Sequence, residues 1–182
     1  MQAALAGGVG ATLSRMLLAE GKAVGETPQH KVAEPRILEL RNTHTGESVN
    51  VVFRRGDQYD SAALAQLRNV MRDHRNGQAH DIDVGVYDQL YDLAIASRRD
   101  ARFDIISGYR SPESNAKMHA ASRGVAKHSL HMEGRAIDVR LQGCSCSSLR
   151  DLALAAAKGG VGYYRSSDFV HIDTGRFRTW AG

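Results

Sequence analysis

Cysteine is almost missing from this sequence of 182 residues: Cys144 and Cys146 are the only two, too few for a disulfide-built scaffold. No run of 18 or more apolar residues occurs, so no segment reads as a membrane-spanning helix. A block of one charge sign is missing as well. Lys and Arg number 24 against 20 Asp and Glu, a net charge of +4, with the two signs interspersed. A pI of about 9.3 therefore brings no polybasic arm, and no Arg-rich or aromatic RNA-binding motif accompanies it, which argues against a nucleic-acid partner. What the chain does contain is 42% hydrophobic residues, enough for a core, and eight histidines, several of them close to aspartates.

Residues 1–35 stand apart. The first thirty are rich in Ala and Gly without an amphipathic period, and no basic residue precedes AALAGGVGATL. That stretch reads either as the remnant of an export signal or as a short helix entering a linker. The folded domain is expected over 36–182. RILELRNTHTGESVNVVF reads as two strands around His44-Thr45-Gly46, and RRGDQY as a further turn. Asp60-Ser61 offers an N-cap for a helix carrying Leu64, Leu67, Val70 and Met71; Asp83 does the same for Val86, Leu90, Leu93 and Ala94. FDIISGY is a short buried strand, SPESNAKMHAASRG a helix ended by Gly124, and GRAIDVRL an alternating strand. CSSLRDLALAAAKGG is a helix stopped by glycines, and VGYY and DFVHID are two final strands. Helices and strands mix without a βαβ repeat, which predicts an α+β fold with a small antiparallel sheet flanked by helices.

The chemistry lies in SLHMEGRAIDVR and DFVHID. A loop turning at Gly134 and running back as a strand aims His131 and Asp138 at one point, and His171 lies at a strand position. Two His and one Asp are the ligand set of a catalytic zinc site with a fourth position left for water. The spacing alone is weak, since chance supplies about half of one His-x6-Asp pair in a chain of this composition. A second copy, His74 to Asp81, falls in the turn-rich HRNGQAHD and reads, with His80, as a solvated loop.

The surroundings decide. ISGYRSPESNA, GVAKHSLHMEGRAIDVR and GGVGYYRSSDFVHIDTGRFRTW follow one another in order, with LRNTHTGE and MRDHRNG upstream. This ordered set resembles the zinc D-Ala-D-Ala carboxypeptidase-like metallopeptidases, the group that also holds lysostaphin-type enzymes and the hedgehog domain. Within it the chain looks most like the MepK-type murein endopeptidases, over roughly residues 36–182. The family pattern S-x-H-x-x-G-x-A-x-D falls on Ser129, His131, Gly134, Ala136 and Asp138. The resemblance implies one zinc ion bound by His131, Asp138 and His171. It implies Asp168, three residues before His171, as general base, where many relatives have Glu. It also implies Arg110 of the GYR element near the scissile peptide, stabilising an oxyanion or holding a substrate carboxylate.

Around this set His128 is a candidate donor, Ser129 and Tyr109 candidate substrate contacts, and Asp173 a group that orients a ligand or a substrate amine. His44 and His74 read as turn residues bonded to nearby backbone, His119 as an exposed helix residue, and one of Tyr163 and Tyr164 as a cleft residue. Trp180 reads as a core anchor for the tail, and neither cysteine as essential. The implied partners are peptidoglycan stem peptides, cut between two meso-diaminopimelate residues or between D-Ala and meso-diaminopimelate, in the periplasm or cell envelope. A carboxypeptidase or dipeptidase of the same family, and a non-catalytic zinc-binding wall module, remain alternatives.

Overall fold

Alternation in the first strand, β1 (Pro35–Asn42), turns Leu38 and Leu40 inward and leaves Glu39 and Arg41 outside the core. The same period of two recurs in β2 (Ser48–Arg55), β4 (Arg102–Ser107) and β5 (Ala136–Leu141) and places Phe53, Phe103, Ile105, Ile137, Val139 and Leu141 on one face of one sheet. The computed structural model describes residues 34–122 and 124–182; the reading of the N-terminal segment as a signal remnant or linker lies outside them. With the short β3 (Gln58–Tyr59), and β6 (Gly160–Tyr164), β7 (Phe169–Asp173) and β8 (Arg178–Ala181), the sheet has eight strands in the order β3-β2-β1-β4-β5-β7-β6-β8. The fold is α+β, as predicted. The sheet is larger than expected and mixed, because β1 pairs parallel with β4 and β6 parallel with β8. The chain crosses over through two helices before β4, and β8 returns past the β6–β7 hairpin to the outer edge. Both edge strands, two and four residues long, are too short to show a period.

Helices α1 (Ser61–Val70), α2 (Val84–Ala96) and α4 (Cys146–Ala156) cover the apolar face through Leu67, Val86, Leu90, Leu93 and Leu149. Asp60 accepts from the backbone N–H of Ala62 and Ala63, and Asp83 from that of Gly85, so both predicted caps form. Helix α3 (Pro112–Ala121) starts on Ser111 with Pro112 in its first turn. It ends three residues before Gly124. Helix α4 stops at Ala157, itself left-handed at φ 50°, rather than at a glycine.

The opposite face of the sheet is polar at its centre. Asp138 on β5 faces His171 on β7 in direct antiparallel register, so their side chains leave the same face next to each other. A bulge between Ile105 and Ser107 shifts β4 by one residue and sets Ser107 opposite Asp138. His131 comes from a short 3-10 turn, Leu130–Glu133, capped by Ser129, whose hydroxyl accepts from the His131 N–H. That turn closes on Gly134 at φ 64°. A Cβ there would strike the Asp81 carbonyl, and the Gly134 carbonyl already accepts from the Asp83 N–H at 2.9 Å. Gly134→Ala is therefore expected to cost about 2–4 kcal/mol, read from urea denaturation, with a loss of metal binding to match.

Candidate metal centre and active-site cleft

Each imidazole of the site is held from behind. His131 Nδ1 lies 2.7 Å from the Gly108 carbonyl and His171 Nε2 lies 3.0 Å from Asp173 Oδ2. Both acceptors are oxygens, so the protons sit on those outer nitrogens, and His131 Nε2 and His171 Nδ1 turn lone pairs inward. They lie 3.2 Å apart, with Asp138 oxygens 2.9 Å from His171 Nδ1 and 3.3 Å from His131 Nε2. Metal bonds of about 2.0–2.2 Å place tetrahedral ligand atoms about 3.3 Å apart. The donor set fits a divalent ion, and among the described residues this is the one such cluster. All three side chains are buried, and burial alone would disfavour charge on each. At Asp138 the two imidazoles outweigh it and hold the carboxyl well below its usual range. At His171 the carboxylates of Asp138 and Asp173 outweigh it and draw the pKa up; at His131 burial prevails and the pKa falls. Three converging acceptors with so little solvent call for a cation, whether a proton or a metal.

The cluster lies on a cleft of about 600 Å³ whose walls include Ser107, Arg110, His128, Tyr164, Phe169 and Trp180. Arg110, 7% exposed, reaches Asn115 Oδ1 at 3.3 Å and Ser107 Oγ at 3.4 Å, and lies 3.9 Å from Asp138 Oδ2. Its Nε is buried without a hydrogen-bond partner, a donor left over beside the metal ligands. Burial lowers its pKa against the pull of Asp138.

A family model described as peptidoglycan L,D-endopeptidase MepK matches residues 30–180. The chain belongs to the MepK family of peptidases. Peptidoglycan L,D-endopeptidase MepK of Escherichia coli K12 is 44% identical over 168 residues, covering 90% of this chain and 91% of that protein. Its namesake in Shigella flexneri matches equally. The probable peptidoglycan L,D-endopeptidase MepK of Haemophilus influenzae is 41% identical over 150 residues, 82% of this chain and 81% of its own. No solved structure matches the chain.

In this MepK-family chain the residues named from sequence divide into three groups. His131, Asp138 and His171 come together, and Arg110, His128 and Ser129 join them along the cleft. Asp173 is fully buried and holds His171 from behind rather than facing substrate; it also accepts from the N–H groups of Gly160 and Gly175 and, bidentately, from Arg178. Tyr109 and Asp168 lie elsewhere. Tyr109 is buried, stacks on His80 at 5.1 Å and ties its backbone N–H to the Met71 carbonyl, so its ring belongs to the core. Asp168 occupies the turn before β7 at φ 51°, and its carboxylate, 70% exposed, lies 3.6 Å from Arg140 Nε. Arg140 also binds the carbonyls of Ser167 and Asp168. Three residues at about 3.3 Å each separate Asp168 from His171 along an extended chain, which leaves the carboxylate outside the cluster.

Trp180 corrects another expectation. It is no core anchor: it lies on edge strand β8, its indole 5.0 Å from the His171 ring and bonded through Nε1–H to Tyr164 Oη at 3.0 Å. Gly162 on β6 stands between β7 and β8, and a Cβ there would meet the indole at 2.6 Å; only glycine leaves Trp180 room to cover β6. The signal was present in GVGYY and RFRTW, but it needed the β6–β8 pairing to be read. His74 is not solvated either. It stacks on His44 at 3.8 Å, while His44 Nε2 bonds the Ile106 carbonyl. Cys144 and Cys146 are free thiols, and burial pushes the Cys146 thiol up to about 12, out of reach of thiolate chemistry at neutral pH.

Asp173→Asn is expected to lower affinity for Zn2+ or Co2+ by about 10–100-fold in competition with a chelator, while His131→Ala and His171→Ala abolish specific binding. Burial, with Arg75 and His44 adding to it, pushes His74 down to about 4. Unfolded, it takes up a proton near pH 6.5. Between those values the unfolded chain binds more protons, so stability falls as pH drops from about 6.5 to about 4. His74→Phe is expected to flatten that part of the profile of denaturation midpoint against pH.

Proposed function

We propose that this chain is a zinc-dependent peptidoglycan endopeptidase of the periplasm or cell envelope that hydrolyses L,D cross-links between stem peptides. One zinc ion is held by His131, Asp138 and His171. The observation that carries this reading is the convergence of two imidazole lone pairs and one carboxylate beside a cleft, in a chain with relatives named peptidoglycan L,D-endopeptidases over nine-tenths of its length. The bond in question joins the L-centre carbonyl of one diaminopimelate to the D-centre amine of the next. Zinc, when bound, supplies a Lewis acid and brings the pKa of a water to about 7.

The chain's own residues supply the rest. Arg110 lines the cleft with its guanidinium within 4 Å of Asp138, so it is set to hold the negative charge that develops on the scissile carbonyl oxygen. Proton transfer passes from the expected Asp168 to His128. It lines the cleft, three residues before the ligand His131, and is exposed. An imidazole there takes a proton from the attacking water and returns it to the departing amine near neutral pH. Ser129 holds the turn that presents His131, and Asp173 with Arg178 holds His171. Trp180 and Tyr164 form an aromatic wall that keeps water from that side of the ligand strand.

Purified protein is expected to carry close to one zinc per chain by elemental analysis and to release monomers from muropeptide dimers. Chelator should stop the release and added zinc restore it; zinc without hydrolysis would favour a binding module. His128→Ala is expected to lower kcat/KM by about 10²–10⁴ with zinc content unchanged, while Asp168→Asn stays near wild type. The reverse pattern would return the base to Asp168. Arg110→Ala is expected to cost about 10²–10³ in kcat, measured on the same dimers.

A further inference from the structure

One guanidinium of the cleft has no task in the arrangement described so far. Arg110 faces Asp138, and Arg178 is clamped on Asp173. Arg75 also lines the cleft, yet among the described residues its side chain makes no hydrogen bond. Its one ionic neighbour is Asp73, at 3.7 Å from Nη1, beyond hydrogen-bond range. Asp73 is fully buried and already engaged: it accepts from the N–H and hydroxyl of Ser111 at 2.9 and 2.8 Å and from the backbone N–H of Arg75 at 3.0 Å. Asp138, the one carboxylate of the cleft wall, is held by the two imidazoles. The Arg75 guanidinium thus lines the cleft with no hydrogen-bond acceptor among the described residues, Asp73 standing 3.7 Å away.

The loop that carries Arg75 is pinned on every side. The N–H of Asp73 bonds the Gln78 carbonyl and the N–H of Gly77 bonds the Asp73 carbonyl, both at 2.8 Å. Asn76 donates to Ser111 Oγ at 2.9 Å, and His74 stacks on His44. A surface arginine with nothing to bind does not need such a mount. A guanidinium carried on a backbone already fixed before the ligand arrives leaves only its side chain to order on binding, and a bidentate pair with a carboxylate is the contact its shape favours.

We propose that Arg75 is a specificity residue of the cleft, taking a free carboxylate of the substrate peptide. The inference rests on the peptidase reading above. Two kinds of carboxylate of an L,D-linked peptide offer this chemistry: those on the D-centres of the two joined diaminopimelates, and the one that ends a stem.

The test uses the full zinc-loaded chain and synthetic cross-linked peptides in three forms: unmodified, amidated at both D-centre carboxylates, and amidated at the stem terminus. Hydrolysis is followed for each, and binding of the corresponding uncleaved product peptides is followed by calorimetry, for wild type, Arg75→Gln and Arg75→Lys. One of the two amidations is expected to weaken binding and raise KM by about 10- to 100-fold in the wild type, and which one it is names the carboxylate. Arg75→Gln should bring the free and amidated forms to near parity, and Arg75→Lys should keep part of the preference. Equal affinity of the wild type for all three forms would overturn the proposal, as would an Arg75→Gln loss of equal size on every form. Absence of hydrolysis with the binding preference intact would instead overturn the peptidase reading and leave the carboxylate site standing.

Discussion

Two imidazoles can offer lone pairs to one cation only if each keeps its proton on the far side, and here the far side of each belongs to the protein. The Gly108 carbonyl fixes His131, and the Asp173 carboxylate fixes His171. Everything around the centre serves these two contacts. Gly108 sits where β4 has just been shifted by its bulge, and the same segment ties the Arg110 N–H to the His131 carbonyl. Asp173 is itself held by two backbone N–H groups and by Arg178 from β8. The candidate metal site therefore depends on strands out to the edge of the sheet, and the buried Asp173 carboxylate sets which nitrogen of His171 faces Asp138 and His131.

The sheet divides its labour by face. One side is apolar and covered by α1, α2 and α4; the other gathers buried Asp138, His131, His171 and Arg110. Such a concentration of buried polar groups is tolerable because nearly all are paired, the Arg110 Nε being the exception. A donor buried without an acceptor is costly in the resting protein, and among the described residues that cost falls on a guanidinium of the cleft wall, beside Asp138.

Legibility followed the range of the interaction. The caps Asp60 and Asp83, the apolar spacing of α1 and α2, and the alternation in β4 and β5 are set by neighbours within a few residues, and all were readable. The candidate ligands His131, Asp138 and His171, named because the family pattern supplies their order, do come together. The reading stopped where distant strands had to be paired. Asp173 shares the face of His171 by the period of two in β7, but Asp168 lies in the turn before that strand, whose direction no period sets. Strand β8 has four residues and no period of its own, so Trp180 looked like a tail anchor until β6 and Gly162 brought it against His171. Tyr109, beside the glycine of GYR, looked as available as Arg110, and the bond of its backbone to Met71 turned it into the core.

By itself the sequence determined the α+β class, the apolar faces, the three candidate metal ligands and membership of a peptidase family. Each follows from residue type, local period or ordered motifs. Tertiary structure alone decided that the Asp168 carboxylate lies outside the cluster, that Trp180 is a wall of the cleft, and that Arg75 lines it with no hydrogen bond from its side chain. Those outcomes come from contacts between segments 16 to 38 residues apart, where strand pairing and loop closure choose the neighbours and no spacing along the chain records the choice.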